Sequence, residues 1–579
     1  MRMKPSFNVG QPVRAAARCC PGCTFVVTSG SMEGSNQRRG GQGECGVSKY
    51  DHLDKDALVR LLTRRDTERQ LGLVWERDDI DPDTAINDDY VALDLDPALS
   101  HGDAPWRNLI IEGDNYDALR ALRMSHAGRI RCIYIDPPYN TGNRDFVYND
   151  RFVDKSHRFR HSLWLEFMYK RLRLAKDLLA DDGVIFVSID DNELFRLGML
   201  MDEVFGEGNW IQTLIWKKSY GGGAKAKHVV GLHEYVLCFA RQKELVERIE
   251  LPPDPKVLKY YKFQDNKFAL RGPYRLQPLA TNSMDTRENL RYPLPYDGEE
   301  VWPAKQWQWS RDRALTALAN DELVFTKKDG EWTVNYKQYL RSESGDERGS
   351  KPYSVIEGPF TQEGTGEIRD IFGDGKAFSF PKPSGLVAQL ISYMPKDALV
   401  LDFFAGSGTT AHAIAKLNAE DGGERRFILV SSTEATDDEP DKNLCRDVCA
   451  ERVRRVMGGY TNAKGEAVAG LGGGFAYLRA RRIAPHRLSV KLEHAEVWHA
   501  LQLLHDRALS PWSHAGFAAD GALAYLADFR EAHVARLRDW LKGVEHPTIY
   551  CWAPERVREL APDADWQPIP QALRARFGR

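Results

Sequence analysis

An apolar run that ends in two prolines constrains this chain more than any other feature. Residues 130–141 read Ile-Arg-Cys-Ile-Tyr-Ile-Asp-Pro-Pro-Tyr-Asn-Thr. Ile133-Tyr134-Ile135 has the pattern of a buried strand. Pro137 and Pro138 donate no backbone hydrogen bond and hold φ near about −65°. Asp136 precedes a proline and is driven to extended geometry. The strand must therefore stop at Asp136, and the chain must leave it as a stiff, non-helical loop. That loop presents a carboxylate, the Pro137 carbonyl and the Tyr139 ring together. Two acceptors beside a flat apolar face suit a planar ring bearing an amino group, such as a nucleobase. A plain strand-ending turn could carry the same residues, so the rest of the chain has to decide.

Strand and helix signals alternate around this stretch. Leu109-Ile110-Ile111 reads as a strand ending at Gly113-Asp114-Asn115, and 116–124 as a helix. A long helix is expected over 163–179, stopped by Asp181-Asp182-Gly183, with buried strands over 184–189 and 233–240. The alternation resumes with a strand over 398–402, which runs into Phe403-Phe404-Ala405-Gly406-Ser407-Gly408-Thr409 and a helix through Leu417. Phe427-Ile428-Leu429-Val430 is the next strand, Glu434 lies just past it, and a helix carrying Arg452, Arg454 and Arg455 follows. This order predicts an α/β fold, a parallel sheet with helices on both faces. Between 245 and 370 the rhythm fails, and Pro, Tyr, Trp, Arg and Lys crowd a stretch that predicts a separate, largely β or irregular insert. Residues 1–48 read as a disordered extension, 54–69 as an amphipathic helix and 76–105 as an acidic connection. The tail from 486 to 579 reads as helical with one strand-like run over 547–552.

A strand, a Gly-x-Gly turn, a helix and a strand ending near an acid form a nucleoside-binding pattern. Glycines permit positive φ and close approach of a ligand to the backbone. An acid such as Glu434 accepts hydrogen bonds from ribose hydroxyls. Position 411 is Ala, so the dinucleotide fingerprint is incomplete, and no Lys follows the glycines as in a phosphate loop. A phosphate-free nucleoside, S-adenosylmethionine, fits better. With both sites in hand, Asp136 and the Pro137 carbonyl would accept from the exocyclic amine of a base, Tyr139 would stack on it, and the base would have to be flipped out of a duplex.

Composition narrows the partners. The net charge is −3, so any contact with nucleic acid needs a local basic surface. Lys217, Lys218, Lys225 and Lys227 flank Gly221-Gly222-Gly223 in a flexible basic loop that could close on DNA phosphates. No apolar run approaches a membrane span, and nine scattered cysteines suit reduced thiols in the cytoplasm, with the protein on the nucleoid when DNA-bound. Cys20 and Cys23 have no second pair for a structural zinc, and the roles of Cys19, Cys20 and Cys23 stay open. Asp190, Asp191 and Glu193 read as an acidic cap at a helix start, and no metal site is expected.

These residues resemble amino-group DNA methyltransferases of the β arrangement, in which the catalytic motif precedes the cofactor motif. More closely, the chain resembles the modification (Mod) subunit of type III restriction–modification systems. The resemblance runs over 49–579 and includes Leu71-Gly72-Leu73-Val74-Trp75-Glu76-Arg77, Asp145-Phe146-Val147-Tyr148-Asn149-Asp150 and Phe380-Pro381-Lys382-Pro383-Ser384. It implies a Rossmann-like methyltransferase sheet, circularly permuted in motif order, with an inserted target-recognition domain. The implied division is an N-terminal helical arm over 49–105, a catalytic half over 106–244, the target-recognition domain over 245–370, a cofactor-binding half over 371–485 and a C-terminal helical or α+β domain over 486–579. It also implies that Asp136, Pro137, Pro138 and Tyr139 are catalytic, the Asp form going with adenine. Asp114, Asn115, Lys382, Asp402, Phe404, Ala405, Gly406, Ser407, Gly408, Thr409 and Glu434 would hold S-adenosylmethionine, Lys382 at its methionine end. Ser431-Ser432-Thr433-Glu434 departs from the family's Gln-Leu-Pro-Glu-like sequence.

The expected function is site-specific transfer of a methyl group to N6 of adenine in duplex DNA. The expected partners are DNA, a second copy in a homodimer and a separate restriction (Res) subunit. A solitary DNA adenine methyltransferase, an RNA or protein amide methyltransferase and a catalytically silent specificity subunit are the alternatives. Both motifs being intact speaks against the last.

Overall fold

The computed structural model describes residues 54–67, 75 and most of 89–577. Residues 1–53, 68–74, 76–88, 143–146, 149–150, 153–158, 222–226, 248, 250, 252–254, 283–284, 347–348, 436–438, 514–515, 570 and 578–579 lie outside the described residues. The expected disordered extension falls there, as does most of the Leu71–Arg77 stretch. The chain divides into two units at Gln70. In the first, α1 (Lys55–Thr67) is the expected amphipathic helix, and Asp54 Oδ1 accepts the Ala57 N–H at 2.6 Å at its start.

The second unit is built on a ten-stranded sheet. Its strands are β1 (Tyr90–His101), β2 (Leu109–Glu112), β3 (Ile130–Ile135), β4 (Leu179–Ile189), β5 (Trp210–Lys217), β6 (His233–Ala240), β7 (Val355–Glu357), β8 (Leu399–Asp402), β9 (Arg426–Ser431) and β10 (Phe475–Ile483). Their spatial order is β1-β10-β2-β9-β8-β3-β4-β6-β5-β7. The centre is parallel, while β1 and β6 run against their neighbours. Ile133 and Ile135 of β3 face one layer, with helices α2 (Asn115–His126), α3 (Arg160–Leu178) and α4 (Leu194–Phe205). Cys132 and Tyr134 face the other, with α6 (Ser384–Ile391), α7 (Thr409–Asp421) and α8 (Glu451–Gly458). Between β7 and α6 lies α5 (Thr361–Phe372). Burial on both faces is why these strands read as continuous apolar runs rather than alternating ones.

Three expectations change. β1 occupies part of the acidic connection: Asp94 lies opposite Arg479, and an Asp96–Arg479 ion pair of 2.8 Å adds to the pairing with β10. Acidic residues on the strand's open side masked it. The insert also ends before 370, because β7 pairs in parallel with β5, and Ile356 is buried in the sheet core. A three-residue strand is too short to carry a periodic signal. The tail contains a four-stranded sheet over 517–520, 523–526, 548–551 and 565–568, where one strand-like run was expected. The excursion between β6 and β7 carries three small antiparallel sheets around Leu279, Leu294, Val301 and Trp307.

Ile133 is fully buried at the sheet centre. Ile133→Ala should cost about 2–5 kcal/mol, read as a lower denaturant midpoint of the sheet signal.

Candidate active site

Chain order reverses between β8 and β3. From β8 the chain crosses through α7 to β9 on one side, and from β3 it crosses through α3 to β4 on the other. Loops diverge at such a switch point and leave a crevice at the strands' carboxyl ends. Val400 pairs with Cys132 and Leu401 with Ile133. Asp136 directly follows β3 and Phe403 directly follows β8, so the two expected motifs leave adjacent parallel strands at the same end of the sheet.

Beside Asp136 stands the Lys382 ammonium. Lys382 Nζ is 3.0 Å from Asp136 Oδ1 and 3.3 Å from Glu234 Oε2. It donates to Tyr139 Oη at 2.8 Å, and Tyr139 Oη–H donates to Glu234 Oε2 at 3.1 Å. Lys218 Nζ donates to Glu234 Oε1 at 2.8 Å. Asp136 Oδ1 is buried and has no hydrogen bond of good angle, so the ammonium neutralises it without satisfying its lone pair. Burial raises the Asp136 carboxyl above its ordinary value; Lys382 opposes that rise and Glu234 adds to it. Burial would raise Glu234 too, but Lys382 and Lys218 together bring it below its ordinary value. Lys382 stays firmly protonated, because the two carboxylates outweigh its own desolvation.

The loop is held from behind. Trp164 Nε1–H donates to the Pro138 carbonyl at 2.7 Å. Asn140 follows in the left-handed region at φ 55°, which Asn tolerates better than most residues. Its Nδ2 donates to Glu193 Oε1 at 2.6 Å, and that same oxygen meets His161 Nδ1 at 2.5 Å. Glu193 is fully buried and makes no side-chain cap to α4, contrary to the acidic cap expected there. Asp190 does cap locally, accepting the Asn192 N–H at 2.9 Å.

The Gly-x-Gly loop is also held from below. Gly406 and Gly408 have φ of 49° and 76°, and a Cβ on Gly408 would lie 3.0 Å from the Cys449 carbonyl. The fully buried Arg452 donates to Ser407 Oγ at 3.0 Å, Thr409 Oγ1 at 2.8 Å and Glu367 Oε2 at 2.9 Å. Those two hydroxyls are therefore turned into the protein, and the loop offers its backbone instead. Asp402 accepts from the Phe404 N–H at 3.0 Å and from Thr410 Oγ1–H at 2.5 Å, a brace for the turn rather than a ligand group. Burial pushes its carboxyl up to about 7.

Asp114 caps α2 by accepting the Tyr116 N–H at 2.9 Å, and its other oxygen meets Arg171 at 3.1 Å. Asn115 ties this end to the cofactor-type loop by donating to the Phe403 carbonyl at 3.0 Å. Gly113, Asp114, Ser432 and Thr433 line part of a cleft of about 380 Å³ at the ends of β2 and β9. Glu434 is exposed at φ 51° and pairs with Lys442 at 3.2 Å. These residues fit a phosphate-free nucleoside: an open glycine backbone, acids at two strand ends and no lysine in the turn.

Of the basic loop, Lys217 pairs with Glu357 at 3.4 Å and Lys218 with Glu234. Lys227 is exposed, and Lys225 lies outside the described residues. Sequence reasoning missed Glu234, Trp164, Asn140, His161, Glu367 and Arg171. Glu234 had one signal, a carboxylate near the head of an otherwise apolar strand. Among the described residues no group of acids, His and Cys could hold a metal, and no helix is long and apolar enough to cross a membrane.

Residues 130–434 match the family described as DNA methylase. The chain is 35% identical over 376 residues to the type III restriction–modification enzyme StyLTI Mod subunit of Salmonella typhimurium, covering 60% of this chain and 57% of that one. It is 34% identical to the EcoPI Mod subunit of Escherichia phage P1, over 57% of this chain and 58% of that one. It is also 34% identical to the type II methyltransferase M.KpnI of Klebsiella pneumoniae, over 55% of this chain and 79% of that one. The chain thus spans little more than half the length of the StyLTI and EcoPI Mod subunits.

Two expected outcomes test the site's construction. Gly364 lies in α5, where a Cβ would fall 2.3 Å from the Pro381 carbonyl, next to Lys382. Glycine to alanine in a helix ordinarily stabilises by about 1 kcal/mol. Here Gly364→Ala should lower the melting temperature instead, by displacing the 381–383 segment. Asp402 holds a proton in the folded chain that the unfolded chain releases near 3.8. Its contribution to stability therefore falls as pH rises from 3.8 to about 7. Relative to Asp402→Asn, the parent should lose stability across that window in urea titrations.

Proposed function

This chain belongs to the DNA methylase family, and we propose that it is a site-specific adenine DNA methyltransferase, the modification subunit of a type III restriction–modification system. The observation that carries the reading is Asp136 directly after β3, with the Gly406–Gly408 turn following the neighbouring parallel strand β8 at the same end of the sheet. One side offers a buried acceptor with an unsatisfied lone pair. The other offers a glycine backbone to a nucleoside.

S-adenosylmethionine, when bound, supplies an electrophilic methyl group on a sulfonium. The Gly406–Gly408 backbone, Asp114, Asn115 and Glu434 would hold its amino-acid and nucleoside parts, with Phe404 and Ala405 forming the wall towards Asp136. The chain's own work is positioning. Asp136 accepts one N–H of the adenine N6 amine and the Pro137 carbonyl the other, which turns the nitrogen lone pair towards the methyl. Tyr139 stacks on the base. As N6 takes the methyl, the proton it releases passes to Asp136 and on to solvent. An amine inside a duplex cannot reach this crevice, so the base is flipped out. The excursion between β6 and β7 would serve as the target-recognition domain, and Lys227 and Lys225 would meet phosphates.

A homodimer working with a separate Res subunit completes the type III reading. A second reading, a solitary methyltransferase, is favoured by the fuller coverage of the type II relative. Co-purification with a nuclease subunit expressed from the same operon separates the two.

Asp136→Ala should reduce transfer of labelled methyl from S-adenosylmethionine to duplex DNA by about 10²–10³-fold. Cofactor affinity by calorimetry should stay close to that of the parent. Near-normal transfer by this variant, or parent activity on RNA alone, would overturn the reading.

A further inference from the structure

The resemblance sets Lys382 at the methionine end of the cofactor, but its ammonium is paired with the carboxylates of Asp136 and Glu234. Nζ is 3.0 Å from Asp136 Oδ1, 2.8 Å from Tyr139 Oη and 4.7 Å from the centre of the Tyr139 ring. These are the groups that the proposed reading gives to the target base: the acceptor for its amine and its aromatic wall. The ammonium lies where an exocyclic amine would approach this carboxylate and neutralises it, while the lone pair of Oδ1 stays open to a better-aligned N–H.

We infer that Lys382 is a built-in stand-in for the target amine, which holds that place on Asp136 until a flipped base enters and shifts the ammonium onto Glu234. The inference rests on the reading of Asp136 as the amine acceptor. Three features support it. Glu234 Oε2 already lies 3.3 Å from Nζ, so the receiving carboxylate is in place. Gly364 clamps the Pro381–Lys382 backbone, so the exchange needs only the flexible end of the side chain. Lastly, Asp136 faces the carboxylates of Glu234 and Asp402 and the phenols of Tyr139 and Tyr134, with Lys382 the cation beside it and Lys218 acting through Glu234. Without the lysine, burial and Glu234 would drive a proton onto Asp136 and remove an acceptor the base needs.

Positioning of this kind has a pH signature that a role in cofactor binding lacks. Lys382 holds the Asp136 carboxyl down and Glu234 pushes it up. Lys382→Met keeps length and removes charge, so the acid limb of kcat/KM for DNA, which reports the enzyme before the base enters, should move to higher pH. Below the limb the rate should fall by about 10- to 10³-fold, the effect of losing one nearby opposite charge. Glu234→Gln should move the limb the other way, to lower pH. The experiment is a pH profile of kcat/KM for duplex DNA at saturating S-adenosylmethionine, with cofactor affinity and melting temperature measured on the same proteins. Opposite shifts in the two variants, with cofactor affinity within about threefold of the parent, support the inference. A Lys382→Met enzyme that keeps the parent's acid limb but loses cofactor affinity tenfold would overturn it, as would a Glu234→Gln limb that stays in place or moves up. If Lys382→Met fails to fold, the Glu234→Gln shift decides alone. A parent that methylates no DNA at any pH overturns the underlying reading, and this inference with it.

Discussion

Everything at the crevice depends on the pairing of β8 with β3. The register of Val400 on Cys132 and Leu401 on Ile133 sets how high each strand reaches. A slip of one residue would turn every side chain of a strand to the opposite face, exchanging Ile133 and Ile135 for Cys132 and Tyr134 in a core filled on both sides. Packing on the two faces therefore locks the register, and the register locks the spacing between Asp136 and the glycine turn. Burial of apolar surface far from the chemistry does the aligning.

Charge does the finer work, in two linked layers. Below the glycine turn, Arg452 is satisfied by Ser407, Thr409 and Glu367. Glu367 also accepts the Ser384 N–H at 3.1 Å, and Ser384 lies two residues beyond Lys382. Lys382 in turn meets Asp136, Tyr139 and Glu234. Two ionic clusters, Arg452 with Glu367 and Lys382 with Asp136 and Glu234, are thus joined through the backbone of residues 382–384. Removing a partner from such a cluster leaves a buried charge uncompensated, which costs more than the pair contributes.

The central strands and both motifs were legible because their signals are local: apolar runs, a Pro-Pro stop, a Gly-x-Gly turn. The partners of those motifs were not. Glu234, Lys382 and Asp136 are far apart along the chain, and only the sheet order brings them together. Nothing in the residues around Lys382 says whether its ammonium turns towards a cofactor or towards a carboxylate. Strand β1 was hidden because Asp94 and Asp96 break its apolar pattern, and their partner Arg479 lies near the other end of the chain. Glu193 looked like a helix cap because it precedes α4, yet its side chain turns inward to Asn140 and His161.

The placement of β8 next to β3 also bears on how the chain is made. β4 follows β3 closely and can cover one edge early. The other edge waits for β8, after roughly 260 residues that include the whole excursion. At about 5–20 residues per second, ribosomal synthesis leaves that edge unpaired for on the order of 15–50 s. An apolar strand with free backbone groups invites pairing with other nascent chains. The architecture that sets the two motifs on neighbouring strands thus leaves one edge of β3 without its native partner until residue 402 has been made.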